Sequence, residues 1–316
     1  MAASKELLAL LDRRLAAFRT SRPELAGALE LQGQLIRASL TAVERAEAQP
    51  FPVPREHVSA RIRSGVPLLH EQPAHVDVRF AAALFRRLLQ VLQQQDNPET
   101  RFALAAIIDA AASLRLDPQR LFSEAFVQHT SHLAEIALQH GLDPNLVLTV
   151  AAQAVAPLLR AYAERLLPIV ARLDDGSPEG AVWQRGYCPI CGSWPTLADP
   201  LGSAPVLFLR CAACGSGWRA QRDVCPYCSS AGCGCWRPLT IEGEAPFRVF
   251  GCERCQGYVK VSAGFDPPSP ELIALDDAVS THLDLVAIQR GYHRPGGTGF
   301  MIELAVPEDE WVEELA

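Results

Sequence analysis

The chain has 316 residues, 49% hydrophobic and 21% charged, with a formal charge of −7. That length holds one large domain with smaller modules, or two domains, and the composition excludes a largely disordered chain. The acidic balance supplies no general basic field for nucleic acid.

The start, Met1 to Glu6, leads directly into an amphipathic pattern without the charged, apolar and small-residue regions of a signal peptide. No run of about 20 uncharged apolar residues follows. A cytoplasmic protein without membrane insertion is expected, and there reduced thiols favour metal ligation over disulfides. Leu7, Leu8, Leu11, Leu15 and Phe18 recur at helical spacing. A second helix is expected behind Ser21-Arg22-Pro23, running to about Ala48. Pro50, Pro52 and Pro54 then break the chain, and residues 55–74 read as a loop with Gly65, Pro67 and Pro73 as breakers. Further helices are expected at about 75–95, 98–114, 118–140 and 144–172. Asn97, Asp117 and Asp143 each stand as a cap before a first-turn proline. Gly141 suits a helix end, and Pro157 and Pro168 imply kinks or a split in the last helix.

Residues 174–180 read as a linker, and composition changes there. Short β-type runs follow, such as Val206–Leu209 and Arg248–Phe250. A helix is then expected from Glu271 to Gly291, carrying Leu272, Leu275, Val279, Leu283 and Val286 on one side. The end of the chain holds Glu303, Glu308, Asp309, Glu310, Glu313 and Glu314 with no basic residue, and reads as a solvated tail.

All ten cysteines fall between Cys188 and Cys255. Eight form four CxxC pairs: Cys188/Cys191, Cys211/Cys214, Cys225/Cys228 and Cys252/Cys255. Two intervening residues let a tight turn aim both sulfurs at one cation, and two pairs supply the four thiolates of a closed tetrahedral site. A small residue after the second cysteine (Gly192, Gly215, Ser229) permits the positive φ such a turn needs. An internal repeat supports sequential pairing. Tyr187-Cys-Pro-Ile-Cys191 matches Val224-Cys-Pro-Tyr-Cys228, and Phe208-Leu-Arg-Cys211 matches Val249-Phe-Gly-Cys252. Cys188, Cys191, Cys211 and Cys214 are thus expected around one ion, and Cys225, Cys228, Cys252 and Cys255 around a second. An interleaved cross-brace is the alternative pairing. Iron and zinc both suit such sites. Four protein ligands leave no open position for Lewis-acid catalysis, so the plain reading is structural. Zinc-binding free energy of about 10–16 kcal/mol would fold modules too small to hold by core burial.

Cys233 and Cys235, one residue apart, are poorly placed for a relaxed disulfide and read as spare thiols in a hairpin loop, or otherwise as a redox pair or auxiliary ligand. His129 and His132 at i, i+3, with Glu124 and Glu135 nearby, resemble half a metal site, but no second pair on another helix is evident, and solvent or packing roles are favoured. Arg185, Arg210, Arg219, Arg222, Arg237, Arg248, Arg254 and Lys260, interleaved with Trp194, Trp218 and Trp236, would suit either nucleic acid or an acidic protein surface.

Several of these stretches together resemble a known family. They are Cys188-Pro-Ile-Cys-Gly-Ser-Trp-Pro195, the run from Cys211 through Trp218-Arg219 to Cys228, and Cys252-Glu-Arg-Cys-Gln-Gly-Tyr-Val-Lys260. Asp276-Asp277 with Gly291-Tyr292 and the segment Gly65-Val-Pro-Leu-Leu69 fit as well. The chain is similar throughout to the bacterial formate dehydrogenase accessory (formation) proteins, the FdhE family. The resemblance implies two rubredoxin-like modules binding iron or zinc through the eight knuckle cysteines. It also implies a cytoplasmic factor that contacts the catalytic subunit of respiratory, molybdenum-containing formate dehydrogenases during maturation. Cys233-Gly-Cys235 is outside the family pattern, and Ser229 replaces the more usual glycine.

The expected architecture is mainly α with small β modules: a helical domain (1–178), two tandem rubredoxin-like or zinc-ribbon modules (179–222 and 223–265), and a C-terminal helix with an acidic tail (266–316). The expected function is non-enzymatic assembly, because no activated nucleophile or acid/base pair is evident. A rubredoxin-like protein that delivers electrons to the dehydrogenase is the runner-up. Oligomeric state is left open.

Overall fold

The computed structural model describes residues 2–43, 46, 55–95, 97–173, 182–200, 206–221, 223–232, 234, 236–239, 247–262 and 269–305. The helices are α1 (Ala2–Ser21), α2 (Ala26–Val43), α3 (Arg55–Ser64), α4 (Val78–Leu92), α5 (Pro98–Ala112), α6 (Pro118–Phe126), α7 (Thr130–Gln139), α8 (Pro144–Leu173), α9 (Ile273–Val279) and α10 (Thr281–Gln289). The strands are β1 (Leu197–Pro200), β2 (Val206–Arg210), β3 (Gly217–Gln221), β4 (Trp236–Leu239), β5 (Phe247–Cys252) and β6 (Tyr258–Ser262). A helical body followed by small β modules is therefore the observed class.

The expected caps are in place. Asn97 and Asp117 accept from Thr100 N and Gln119 N, and Asp143 accepts from Leu146 N at 3.0 Å. Gly141 ends its helix with φ +66°. Three expectations need correction. Residues 55–64 form α3 rather than a loop, because Val58 and Ile62, one turn apart, are fully buried. The span 118–140 divides into α6 and α7, because Gln128 takes φ +59° without a glycine or proline to announce the reversal. The Glu271–Gly291 span likewise breaks at Ser280, whose hydroxyl turns back to Asp276 O at 2.6 Å. By contrast α8 continues through Pro157 and Pro168 as one element.

Two cores form. The larger surrounds α8, which is packed by α2, α3, α4, α6 and α7, and it continues into the first cysteine knuckles. By length and composition α8 would pass as a membrane span, but 61% of that window is buried against its neighbours, as for a central core helix. The smaller core joins Leu11 and Leu15 of α1 and Leu29, Ile36 and Leu40 of α2 to Val249 and Tyr258 of the sheet and to Leu275 and Leu283 of α9 and α10.

Among the described residues, the six strands make one sheet in the order β3-β2-β1-β6-β5-β4. Each half is an antiparallel meander, and a short parallel pairing, Leu197 to Lys260 and Ala198 to Val261, joins them. The linker at 174–180, Pro50 to Pro54, Arg222, Cys233, Cys235 and the acidic tail beyond Ala305 lie outside the described residues.

Candidate metal centres

One backbone frame occurs four times. In each CxxC turn the first cysteine's N–H donates to a carbonyl five residues on: Cys188 to Ser193, Cys211 to Ser216, Cys225 to Ser230 and Cys252 to Gly257, at 2.8–2.9 Å. The residue after the second cysteine donates back to the first cysteine's carbonyl at 2.8–3.0 Å. That residue is left-handed in every turn, at Gly192 (+77°), Gly215 (+74°), Ser229 (+57°) and Gln256 (+58°). The first three positions are visible from their small side chains, whereas Gln256 is not.

The turns pair sequentially. Cys188, Cys191, Cys211 and Cys214 bring their sulfurs within 4.8 Å of one another, and so do Cys225, Cys228, Cys252 and Cys255. In the first group the closest Sγ–Sγ distances are 3.5–3.6 Å, and in the second 3.7 Å. Metal–sulfur bonds of about 2.3 Å place tetrahedral corners about 3.8 Å apart, so each group fits one four-coordinate ion. The interleaved alternative does not occur.

Electrostatics also favours a cation. Burial pushes the Cys188 and Cys214 thiols well up. Burial acts on Cys191 in the same sense, but hydrogen bonds with Cys188, Cys211, Cys214 and Ser193 outweigh it and hold that thiol well down. Alone, such a cluster tolerates few thiolates, and a divalent ion is what would let all four ionise. In the second cluster burial raises Cys225, and raises Cys255 to about 11. Cys228 is only slightly desolvated, and hydrogen bonding with Ser230 brings it to about 7.

The two clusters differ in enclosure. All four cysteines of the first are buried, whereas Cys228 of the second is exposed and Cys255 half-buried. The cause lies in what covers them. The segment after α3 lies on the first knuckle: Leu68 N donates to Pro189 O at 2.8 Å, Leu69 N to Ile190 O at 3.1 Å, and Tyr187 Oη to Gly65 O at 2.7 Å. From the other side Gly299 N and Phe300 N both donate to Gly192 O. Between α6 and α7, Gln128 donates from Nε2 to Cys191 O at 3.2 Å and accepts from Ser193 Oγ.

Some of the supporting residues carry a signal in the sequence. Ser193, Ser216 and Ser230 stand two residues after the second cysteine of three turns, and each hydroxyl lies 3.0–3.1 Å from that cysteine's sulfur. They form the supporting shell that orients thiolate ligands, and the pattern C-x-x-C-x-S would have found them. Gln128, Leu68 and Leu69 carry no comparable signal.

The expected Arg/Trp face is laid out only in part: Arg185, Arg219, Arg248 and Arg254 are exposed. Trp218 and Trp236 are buried, and Trp194 is half-buried against Tyr187 and Tyr227. Arg210 is buried beside Asp199, Lys260 is fully buried between Asp277 and Asp284, and Arg237 pairs with Glu253 at 2.7 Å. Apolar surroundings claimed the tryptophans and buried ion pairs claimed Arg210 and Lys260, whereas the Arg237–Glu253 pair lies at the surface. His129 and His132 do meet a partner: both reach Glu124 on the preceding helix.

No family model matches the chain. It is similar to a Protein FdhE homolog of Haemophilus ducreyi, 33% identical over 129 residues, which are 40% of this chain and 41% of that protein. It is also similar to Protein FdhE of Escherichia coli O127:H6, 32% identical over 150 residues, 47% of this chain and 46% of that one. The matched stretch thus spans under half the length of these relatives. The crystal structure of the FdhE protein from Pseudomonas aeruginosa superposes with a TM-score of 0.57 at 21% identity, covering 94% of this chain and 95% of that one. It shares the fold across both the helical body and the β modules. The chain is thus similar in sequence to FdhE proteins over less than half its length, and it shares its fold with one of them.

Proposed function

We propose that the protein is a non-catalytic accessory factor for formate dehydrogenase formation. In this reading the eight knuckle cysteines hold two iron or zinc ions, and the surface so stabilised binds the dehydrogenase catalytic subunit. The observation that carries it is the pair of four-thiol clusters, each of tetrahedral size, in a chain that resembles FdhE proteins. The ions would supply cross-links between distant turns. The chain itself supplies the rest: the repeated amide frame fixes the turns, and Ser193, Ser216 and Ser230 orient the sulfurs. The modules 179–222 and 223–265 then act as one platform through their common sheet. The client-facing side is assigned to the second cluster, where Cys228 reaches the surface beside a cleft lined by Trp183, Arg185, Arg219 and Pro226.

Co-purification tests this. Tagged protein from formate dehydrogenase-producing cells should retain the catalytic subunit, and retention should fall in Cys225→Ala. Absence of the subunit, together with full dehydrogenase activity in a deletion strain, would refute the proposal.

The exposure of Cys228 favours one further reading, in which iron in the second cluster passes electrons to the client. Anaerobically prepared, active protein that contains only zinc at both clusters would remove it.

A further inference from the structure

Glu124, His129 and His132 lie outside both thiol clusters and have no part in the function proposed above. Glu124 lies in the last turn of α6, His129 stands at the start of α7, and His132 lies one turn further on. The left-handed Gln128 reverses the chain between the helices, and His129 N closes the turn by donating to Glu124 O at 2.9 Å. As a result Nδ1 of His129 and Nδ1 of His132 lie 3.1 and 3.2 Å from the same carboxylate oxygen, Glu124 Oε2. The two rings overlap with centroids 3.5 Å apart. This is closer than the roughly 4.5–7 Å that aromatic pairs prefer, so the rings are drawn together by a shared point of aim.

We propose that these three residues form a third metal site, which takes one divalent first-row transition ion. Bonds of about 2.1 Å separate cis or tetrahedral donors by about 3.0–3.4 Å, which matches both nitrogen–oxygen distances. All three donor atoms lie within 4.8 Å of one another. Two imidazoles and one carboxylate select zinc, cobalt, nickel, copper or iron(II) over calcium and magnesium, which want oxygen. The side chains are part-exposed, at 23% for Glu124, 24% for His129 and 46% for His132. An ion can therefore enter from solvent, and its remaining positions face water. Binding moves the ring protons to Nε2 and ties α6 to α7 at the turn whose Gln128 grips Cys191 O. The third site thus braces the same junction that encloses the first thiol cluster.

The test begins with protein whose thiol clusters are filled with zinc and counted, followed by titration with cobalt(II). One further equivalent should bind, with weak visible bands and without thiolate charge transfer. X-ray absorption of the bound cobalt should show nitrogen and oxygen neighbours only. Glu124→Gln and His132→Gln should each weaken binding by more than the about 10–100-fold that losing a supporting partner costs, with zinc content unchanged. Glu135→Gln, whose carboxylate is engaged by Gln139, should leave it unaltered. The proposal is overturned by the absence of a further equivalent, by sulfur around the cobalt, or by equal weakening in Glu135→Gln.

Discussion

At the scale of single residues, the knuckle turns can be tested by their backbone conformations. A Cβ added to Gly192 at φ +77° would come 2.0 Å from Phe300 O, a backbone atom that cannot step aside cheaply. Gly192→Ala should therefore lower stability by about 1–3 kcal/mol from the conformational strain alone, and by more once the 299–300 segment is displaced. Ser229→Gly should act in the opposite sense, gaining up to about 1–2 kcal/mol by relieving φ +57°. Equal effects in thermal denaturation would show that the turn conformation is not what these positions select. Asp276 gives a different kind of prediction. It is buried, and burial pushes its carboxyl up to about 6 although Arg14 pairs with it at 2.5 Å. The folded state keeps a proton that the unfolded chain releases near pH 4, so this group's contribution to stability falls as pH rises from about 4 to 6. Asp276→Asn escapes that loss. Its stability relative to the parent should shift in its favour by up to about 3 kcal/mol between pH 4 and pH 7. A difference independent of pH in denaturant titrations would refute the assignment.

At the scale of elements, what could be read in the sequence was what short-range chemistry dictates. The four turns follow from a spacing of two, the caps from Asn97, Asp117 and Asp143, and the sequential pairing from the repeat. What could not be read depends on distant partners. Leu68 and Leu69 meet Pro189 and Ile190 through backbone amides, which leave no periodic trace. The α6–α7 break rests on a left-handed Gln128, and this is why the two histidines looked like half a site while Glu124 was counted on the same helix. Arg55–Ser64 is α3 because Val58 and Ile62 find the core, although the breakers on either side suggest a loop. The enclosure of the first cluster and openness of the second are likewise tertiary. Metal release should show that difference. A coloured chelator added to protein that holds two zinc ions, one in each thiol cluster, should take one equivalent quickly, from the cluster with exposed Cys228, and the second slowly, from the cluster sealed by 68–69, Gln128 and Phe300. Release of both equivalents at one rate would show that enclosure does not govern exchange.

At the scale of the whole molecule, the decisive feature is how the two metal modules are joined. The parallel seam between β1 and β6 is two residue pairs long, and one of its four residues is Lys260. The Lys260 ammonium is fully buried, donates to Asp277 O at 2.8 Å and meets Asp284 at 2.7 Å. Lys260 also meets the Asp277 carboxylate at 2.8 Å, Arg294 reaches the carboxylates of Asp277 and Asp284, and Tyr258 donates to Asp284 at 2.8 Å. This network ties the seam to α9 and α10 and closes the smaller core, whereas the larger core around α8 does not contain it. Removing one partner of a buried ion pair leaves carboxylates without compensation and costs about 3–5 kcal/mol. Lys260→Met keeps the apolar stem while deleting the charge, so any loss reports on the network and not on a cavity. The loss should be local first. Hydrogen exchange should quicken in 247–262 and 273–289, while the amides of α8 keep their protection, because Tyr258 and the flanking residues of α9 and α10 belong to the smaller core and α8 to the larger. If exchange in α8 quickened equally, the modules and the helical body would be one cooperative unit. The seam would then be an ordinary strand pairing, not a joint between a sealed half and an open one.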